Sequence, residues 1–151
     1  MRAPDVSLEL LVEALARGHP QRMRALGTSM WPTIPGGSLL ELSPADPAHP
    51  PNPGDVVAVR SRDGRFLVHR VCGVRGDGAR LLMGDHCLKP DGWFSLDEVV
   101  ALVTRMDDGA GWRAVPRQKT PMPPLLHRAR RRLARFFTEL SRCSRPDPAA
   151  D

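Results

Sequence analysis

One hydroxyl in this chain lies in a segment typical of loops that present a nucleophile. Ser29 comes two residues after Gly27 and three before Pro32. Glycine adopts backbone angles that other residues resist, and proline fixes φ at roughly −65°, so we expect a stiff loop around the serine. His69 is a candidate for the general base that takes the serine proton in acyl transfer to water. A surface serine in an ordinary turn is the alternative interpretation.

A Ser-His pair of this kind needs a group that orients the imidazole, and two aspartates are candidates for that role. Asp85 follows Gly84 in a tight turn, where its oxygens would accept hydrogen bonds from backbone N–H groups. Asp91 stands before Gly92 and is freer to reach across to His69. Because aspartate beside glycine is usually a turn former, the sequence leaves the choice between the two open.

The elements that must position these groups are short strands separated by glycine and proline turns. One helix is predicted near the N-terminus, over residues 7–17, with Ser7 as its cap and apolar residues at helical spacing. Strand patterns follow at residues 21–26, 38–42, 56–60, 66–71, 79–83, 99–106 and 112–115. Strands this short and this close together predict a mostly β fold built from antiparallel sheets.

The composition limits what these elements can build. With 151 residues, 41% of them hydrophobic, the chain has material for one compact domain. We predict a helix and lead-in over residues 1–20, a catalytic β domain over 21–116 and a tail over 117–151. No apolar run reaches about 18 residues, and the N-terminus lacks the basic-then-apolar layout of a secretory signal. We therefore expect a cytoplasmic protein without a transmembrane segment.

The three cysteines, Cys72, Cys87 and Cys143, form no C-x-x-C pair. Their odd number and their spacing predict neither a disulfide framework nor a zinc site. We interpret them as packing residues and expect no metal or cofactor.

Positive charge is concentrated in the tail. Residues 1–111 hold 12 Lys and Arg against 14 Asp and Glu, whereas residues 112–151 hold 10 against 3. Apolar residues of the tail share one helical face, with arginines around the rest: Leu126, Ala129, Leu133, Phe136, Phe137 and Leu140 against Arg128, Arg130, Arg131, Arg132 and Arg135. This pattern predicts a basic amphipathic helix that would contact an anionic membrane peripherally. The alternatives are a helix packed on the domain and a partly disordered tail. No nucleic-acid partner is expected, since aromatic stacking groups are not interleaved with the arginines.

Four short segments in order resemble the sequence boxes of the type I signal peptidases and their LexA-like relatives. They are Ser29-Met30-Trp31-Pro32-Thr33, Gly54-Asp55-Val56-Val57, Val68-His69-Arg70-Val71, and Met83-Gly84-Asp85 with Asp91 six residues on. The resemblance covers roughly residues 22–105. It implies antiparallel β-sheets of the signal peptidase and LexA-like peptidase type. In the bacterial branch the position of His69 holds a catalytic lysine, so the chain is similar to the Ser-His branch found in the endoplasmic reticulum and in some Gram-positive and archaeal enzymes.

The resemblance implies a role for each matching residue. Ser29 would be the nucleophile, His69 the general base, and Asp85 and Asp91 the candidate third members. The Ser29 backbone N–H would supply half of an oxyanion hole. The surrounding loop positions are Gly27, Thr28, Met30 and Pro32.

Three departures from the family pattern limit the carry-over. Gly27 stands where many members have a serine that helps to hold the oxyanion, with Thr28 as a substitute. His86 stands where relatives usually have asparagine, and we interpret it as a solvent-exposed loop residue. The membrane-spanning anchor of typical signal peptidases is missing from the sequence.

The predicted function is therefore a serine endopeptidase of the signal-peptidase-like type. Its partner would be a precursor protein or leader peptide, bound in extended form along a sheet edge and cut by the Ser29–His69 pair. A non-catalytic peptide- or protein-binding module on the same fold is the alternative. Self-cleavage, as in the LexA-like relatives, is disfavoured because those proteins use a lysine-dependent arrangement.

Overall fold

The computed structural model describes residues 6–118 of the 151-residue chain. This part forms one α-helix, eight strands and one 3₁₀ turn. In chain order they are α1 (Val6–Ala16), β1 (Gln21–Arg24), β2 (Leu39–Pro44), β3 (Val56–Arg60), β4 (Phe66–Val74), β5 (Arg80–Met83), β6 (Gly92–Phe94), the 3₁₀ turn (Leu96–Glu98), β7 (Val99–Asp107) and β8 (Arg113–Ala114). The predicted C-terminal helix lies outside the described residues.

The eight strands of the described range form one antiparallel sheet in the order β1-β2-β7-β3-β4-β5-β6, with β8 paired to β7. Strand β7 connects the two parts of the sheet. It pairs with β2 along one edge and with both β3 and β8 along the other. Register shifts between Glu41 and Leu42, and between Ala58 and Val59, bend the sheet locally. The prediction of a mostly β, antiparallel fold is confirmed.

Helix α1 lies where the sequence predicts it. Leu15 is 2% exposed and packs into the core. The helix ends at Ala16 and the chain turns at Gly18, whose φ of +83° suits glycine, and the His19 N–H donates to the Ala14 carbonyl at 3.0 Å. Ser7 lies within the first turn of the helix and not at the cap position. Nowhere in residues 6–118 is there a helix long and apolar enough to cross a membrane.

Hydrophobic side chains pack on both faces of the sheet. Along β3, Val56 and Ala58 belong to one cluster, and Val57 and Val59 belong to another. This follows from the alternation of side chains along a strand. The β3–β4 hairpin pairs these residues in a register that runs from Val56 opposite Arg70 to Arg60 opposite Phe66. That register places His69 opposite Val57.

Several strands have bounds one or two residues away from the predicted ones, β1 for example ending at Arg24 and β2 at Pro44, and two features of the sheet differ more. Strand β6 was not predicted, because Gly92 in so short a segment is typical of a turn; it pairs with β5, with Phe94 opposite Arg80. Strand β4 continues to Val74, three residues further than predicted, because a register shift between Val71 and Gly73 keeps it paired with β5.

Candidate active site

The loop that carries Ser29 is anchored at the residues that follow it. The Trp31 N–H donates to the Thr28 carbonyl at 3.1 Å, and the Ile34 N–H donates to the Met30 carbonyl at 2.9 Å. Met30 and Ile34 are 5% and 2% exposed and belong to the core. The predicted stiffness of the loop therefore has two causes in the structure, turn hydrogen bonds and buried apolar anchors.

Two close approaches around the loop need glycine. A Cβ atom at Gly36 would lie 2.7 Å from the Gly27 carbonyl oxygen, and Gly27 itself has a φ of +77°. A Cβ atom at Gly84 would lie 2.6 Å from the Ser29 carbonyl oxygen and 3.0 Å from His69 Nε2. Gly84 therefore lets the turn after β5 come against both the serine and the histidine.

Ser29, His69 and Asp91 form a continuous hydrogen-bonded array. His69 Nε2 is 2.8 Å from Ser29 Oγ, and His69 Nδ1 is 2.6 Å from Asp91 Oδ2. When Nδ1 carries the proton donated to the carboxylate, Nε2 is the acceptor for the serine hydroxyl. The array therefore has the polarity that general-base activation of Ser29 requires.

Each member of the array comes from a different part of the fold. His69 lies on β4 with its side chain 7% exposed, whereas the Asp91 side chain is 21% exposed. The Asp91 N–H donates to the Leu82 carbonyl at 2.8 Å, which fixes the carboxylate just before β6. Strand β6, which was not predicted, is thus the element that positions the third residue.

Asp85, the other candidate for that role, forms a different ion pair. Both its oxygens accept hydrogen bonds from Arg70, at 2.7 Å from Nε and 2.7 Å from Nη2. Arg70 Nη1 also donates to the carbonyls of Gly54 and Pro116, at 2.7 and 2.8 Å. Arg70 is only 1% exposed, and its hydrogen bonds join β4 to three other chain segments inside the domain. The sequence suggested backbone N–H partners for Asp85; the Arg70 guanidinium is the partner that joins this carboxylate to β4.

The other predicted loop residues have simpler roles. Gly27 is exposed and lines the cleft beside Ser29, Thr28 is exposed, and Pro32 is half-buried. Met30 is a core anchor and offers no polar side-chain group.

His86 is not the exposed loop residue that we predicted. Its side chain is half-buried, and its ring meets the Trp31 ring edge-on with centroids 5.5 Å apart. Its backbone N–H donates to the Ser29 carbonyl at 2.8 Å. His86 therefore also helps to hold the nucleophile loop.

Cys87 is the other nucleophilic side chain near the array. Burial, and then the negative charge of Asp91, raise the pKa of its thiol above the usual 9.0. A raised pKa keeps the sulfur protonated near neutral pH, so Cys87 is not an activated nucleophile.

The array opens onto a cleft of about 580 Å³ lined by α1, β1, the Ser29 loop and β4. Strand β1 is the edge strand at one end of the sheet. Strand β4 pairs with β5 only from Arg70 onward. The outer edge of residues 21–24 and the β5-side edge of residues 66–69 therefore both border the cleft without a neighbouring strand in the sheet. An edge without a neighbouring strand is where an extended segment can add to a sheet.

Arg70 is the site-region residue that the sequence reasoning missed. The signal was an arginine inside a strand that is apolar apart from His69, because a buried guanidinium requires a carboxylate partner. Among the described residues no group of His, Cys, Asp and Glu side chains is arranged to hold a metal ion.

In comparisons with known proteins, neither the protein-family models nor the curated proteins give a match to this chain.

Proposed function

We propose that the protein is a serine endopeptidase of the signal-peptidase-like type that hydrolyses a peptide bond in a precursor or leader peptide. The observation that carries this proposal is the array of Ser29, His69 and Asp91, with contacts of 2.8 and 2.6 Å, on the wall of an open cleft. Its residue types and hydrogen-bond polarity suit acyl transfer to water. The four sequence boxes support a peptidase over other hydrolases.

In the proposed reaction Ser29 Oγ attacks the scissile carbonyl carbon while His69 Nε2 takes the serine proton. The C–N bond then breaks, and the imidazolium gives that proton to the leaving amine. Water attacks the acyl-enzyme, His69 removes its proton, and Ser29 regains a proton as the carboxyl product leaves. Asp91 keeps the imidazole oriented and stabilises the imidazolium throughout.

Negative charge on the tetrahedral oxygen needs donors in place before the reaction. The Ser29 backbone N–H is one proposed donor, and each such donor contributes on the order of 3 kcal/mol to transition-state stabilisation. Thr28, exposed beside the nucleophile, is the proposed second donor in place of the serine that many relatives have two residues before theirs.

The substrate would bind as an added strand between the free edges of β1 and β4. Backbone hydrogen bonds to these edges hold a peptide extended, and so present one carbonyl to Ser29. The tail belongs to the same proposal as a peripheral contact with an anionic membrane, supported by the 10 Lys and Arg against 3 Asp and Glu in residues 112–151, the range that includes the tail.

A fluorophosphonate probe tests the proposal, because it forms a covalent bond only with an activated serine. We expect labelling at Ser29, mapped by peptide mass spectrometry, and no labelling of Ser29→Ala. Ser43→Ala, a half-buried serine on β2, is the matched control and should label like the wild type. Failure of the wild-type protein to label would contradict the peptidase and favour the non-catalytic binding module.

A further inference from the structure

Strand β1 has two faces of different character. Its residues alternate in exposure, so that Gln21 and Met23 are half-buried and Arg22 and Arg24 are exposed. Met23 packs against the main core and lines the cleft that Ser29 borders. Because successive side chains of a strand point to opposite faces, the two arginines share the outer face, away from the core.

The two guanidinium groups have their contacts on this outer face. Arg22 is paired with Glu41 in the register of β1 and β2, and its Nη2 is 3.5 Å from a Glu41 carboxylate oxygen. The same guanidinium lies 4.7 Å from the centroid of the Trp112 ring. Arg24 Nη1 donates to the Gly37 carbonyl at 2.6 Å. None of the three partner residues lines the cleft, so the outer face of β1 is a surface separate from it.

Arg24 differs from most exposed arginines of the described range in having no acidic partner. The others that form an ion pair with a carboxylate are Arg17, Arg22, Arg62, Arg65, Arg75, Arg113 and Arg117. Within residues 6–118 the exposed arginines outside such a pair are Arg24 and Arg105, and Arg105 lies 5.7 Å from the centroid of the Trp112 ring. The Gly37 carbonyl accepts one hydrogen bond from Arg24 but brings no negative charge. Strand β1 therefore presents a positive charge that no neighbouring carboxylate neutralises.

Strand addition would bring a peptide directly beside this charge. Strand β1 is an edge strand, so a peptide that pairs with its free edge runs next to Arg22 and Arg24. Side chains that lie opposite each other on one face of two paired strands have Cβ atoms about 4.5–5.5 Å apart. Every second side chain of the peptide would share the outer face with the arginines, and the side chains between them would share the inner face with Met23. Opposite charges stabilise such a cross-strand pair, and like charges destabilise it.

We propose that Arg24, assisted by Arg22, is a substrate-selecting site that recognises an acidic side chain in the peptide strand paired with β1. The inference rests on the proposed peptidase function and deepens it, because it names the substrate class as peptides that carry Asp or Glu on one face of the bound strand. The preference is strongest opposite Arg24, since Glu41 already offsets part of the charge of Arg22. A lysine or arginine in the same position of the peptide is repelled.

The discrimination should be modest and sensitive to salt, because the site is open to solvent. The Arg22 side chain is 62% exposed, and Arg24 is exposed as well. We expect an acidic residue to be favoured over its amide about two- to fivefold, the range that exposed cross-strand charge pairs give. This factor should fall towards one when the NaCl concentration is raised from about 50 mM to about 500 mM.

Cleavage-site profiling tests the inference. The full-length protein, Arg24→Glu and Arg24→Gln are each incubated with a library of proteome-derived peptides, and the residues around the cut bonds are compared with the uncut library. Wild-type sites should be enriched in Asp and Glu at one position, or at two positions with one residue between them, and not at that intervening residue. Arg24→Glu should change the enrichment at that position to Lys and Arg, and Arg24→Gln should bring it close to background.

Arg62→Glu is the matched control. It makes the same change of charge at an arginine whose side chain is 79% exposed on the turn between β3 and β4, and it should keep the wild-type profile. An equal shift in Arg62→Glu would overturn the inference, because the preference would then follow the net charge of the protein. Fluorophosphonate labelling of Ser29 checks that each variant is folded, and Arg24→Gln decides the test if Arg24→Glu is not labelled.

The remaining outcomes separate this inference from the proposed function. Wild-type cleavage sites without acidic enrichment, or an enrichment that the Arg24 variants leave unchanged, overturn the acid-selecting site and leave the peptidase standing. A wild-type protein that cleaves no peptide contradicts the proposed function and this inference together.

Discussion

His69 and Arg70 are neighbours on β4, and each is paired with an aspartate, yet the two pairs have different surroundings. Arg70 and Asp85 have side chains 2% and 8% exposed, and Arg70 donates hydrogen bonds to one carboxylate and two carbonyls. His69 and Asp91 have side chains 7% and 21% exposed, and the imidazole also contacts the Ser29 hydroxyl at the cleft.

Strand geometry separates the two pairs, because consecutive residues on a strand face opposite sides of the sheet. One side buries a fully bonded ion pair, and the other brings an imidazole to a cleft. Two aspartates only six residues apart in sequence therefore serve different purposes, one structural and one proposed to be chemical. Each prediction below tests that division.

The largest effect should come from the histidine. We predict that His69→Ala lowers the rate of Ser29 acylation by on the order of 10⁴- to 10⁶-fold, because no base remains to take the serine proton. The rate is measured with a phosphonate probe, and circular dichroism checks that the β domain still folds. Wild-type acylation in a folded His69→Ala protein would show that the array is not catalytic.

Asp91→Asn should have the next largest effect. We predict that it lowers acylation by on the order of 10²- to 10⁴-fold, since the charge that orients and stabilises the imidazolium is lost. The urea midpoint should stay close to that of the wild type. Asp85→Asn is the matched comparison, with the opposite pattern: a lower urea midpoint and, in the folded fraction, acylation near the wild-type rate. If the two variants behave alike, the division between the pairs is wrong.

Arg70→Ala should act on stability. We predict a loss of about 3–5 kcal/mol in the free energy of unfolding, because the Asp85 carboxylate is left buried without its partner. Urea denaturation followed by tryptophan fluorescence measures the loss. Arg75→Ala, which removes an exposed pair with Asp77, is the control and should leave the midpoint unchanged. An Arg70→Ala protein as stable as this control would contradict the structural role.

The smallest effect concerns Cys87, because the charges of both aspartates raise the pKa of its thiol. Burial raises its pKa above 9.0, the charge of Asp91 raises it further, and Asp85 adds a lesser contribution. Since only the thiolate reacts, alkylation by iodoacetamide should have a pH midpoint above 9.0 in a Cys72→Ser, Cys143→Ser background. Asp91→Asn should lower that midpoint more than Asp85→Asn. A midpoint below 9.0 in the background protein would show that the site does not disfavour the thiolate.

Much of the fold could be predicted because local patterns determine it. Strand β3 was predicted with the bounds that the structure gives, since an apolar run between two turns has only one reasonable interpretation. Strand β6 could not be predicted, because three residues that begin with Gly92 are held by pairing with β5 and not by local preference. The chain beyond residue 118 lies outside the described residues, so the tail stays a prediction.

The sequence predicted the residues of the candidate site but not which aspartate pairs with His69. Spacing in sequence does not fix which aspartate reaches His69, since that depends on where β6 places Asp91. Arg70 could be recognised as the partner of Asp85 only if its burial were known. That burial follows from the register of β4 against β3. Long-range register is the information that the local pattern lacked.

Peptide-bond hydrolysis itself is the most direct test of the central claim. A library of proteome-derived peptides is incubated with the full-length protein in ¹⁸O-labelled water, and new carboxyl termini are counted by mass spectrometry. We predict new termini carrying ¹⁸O with the wild-type protein and none above background with Ser29→Ala. No new termini with the wild type, or the same termini with Ser29→Ala, would contradict the assignment of this protein as a serine endopeptidase.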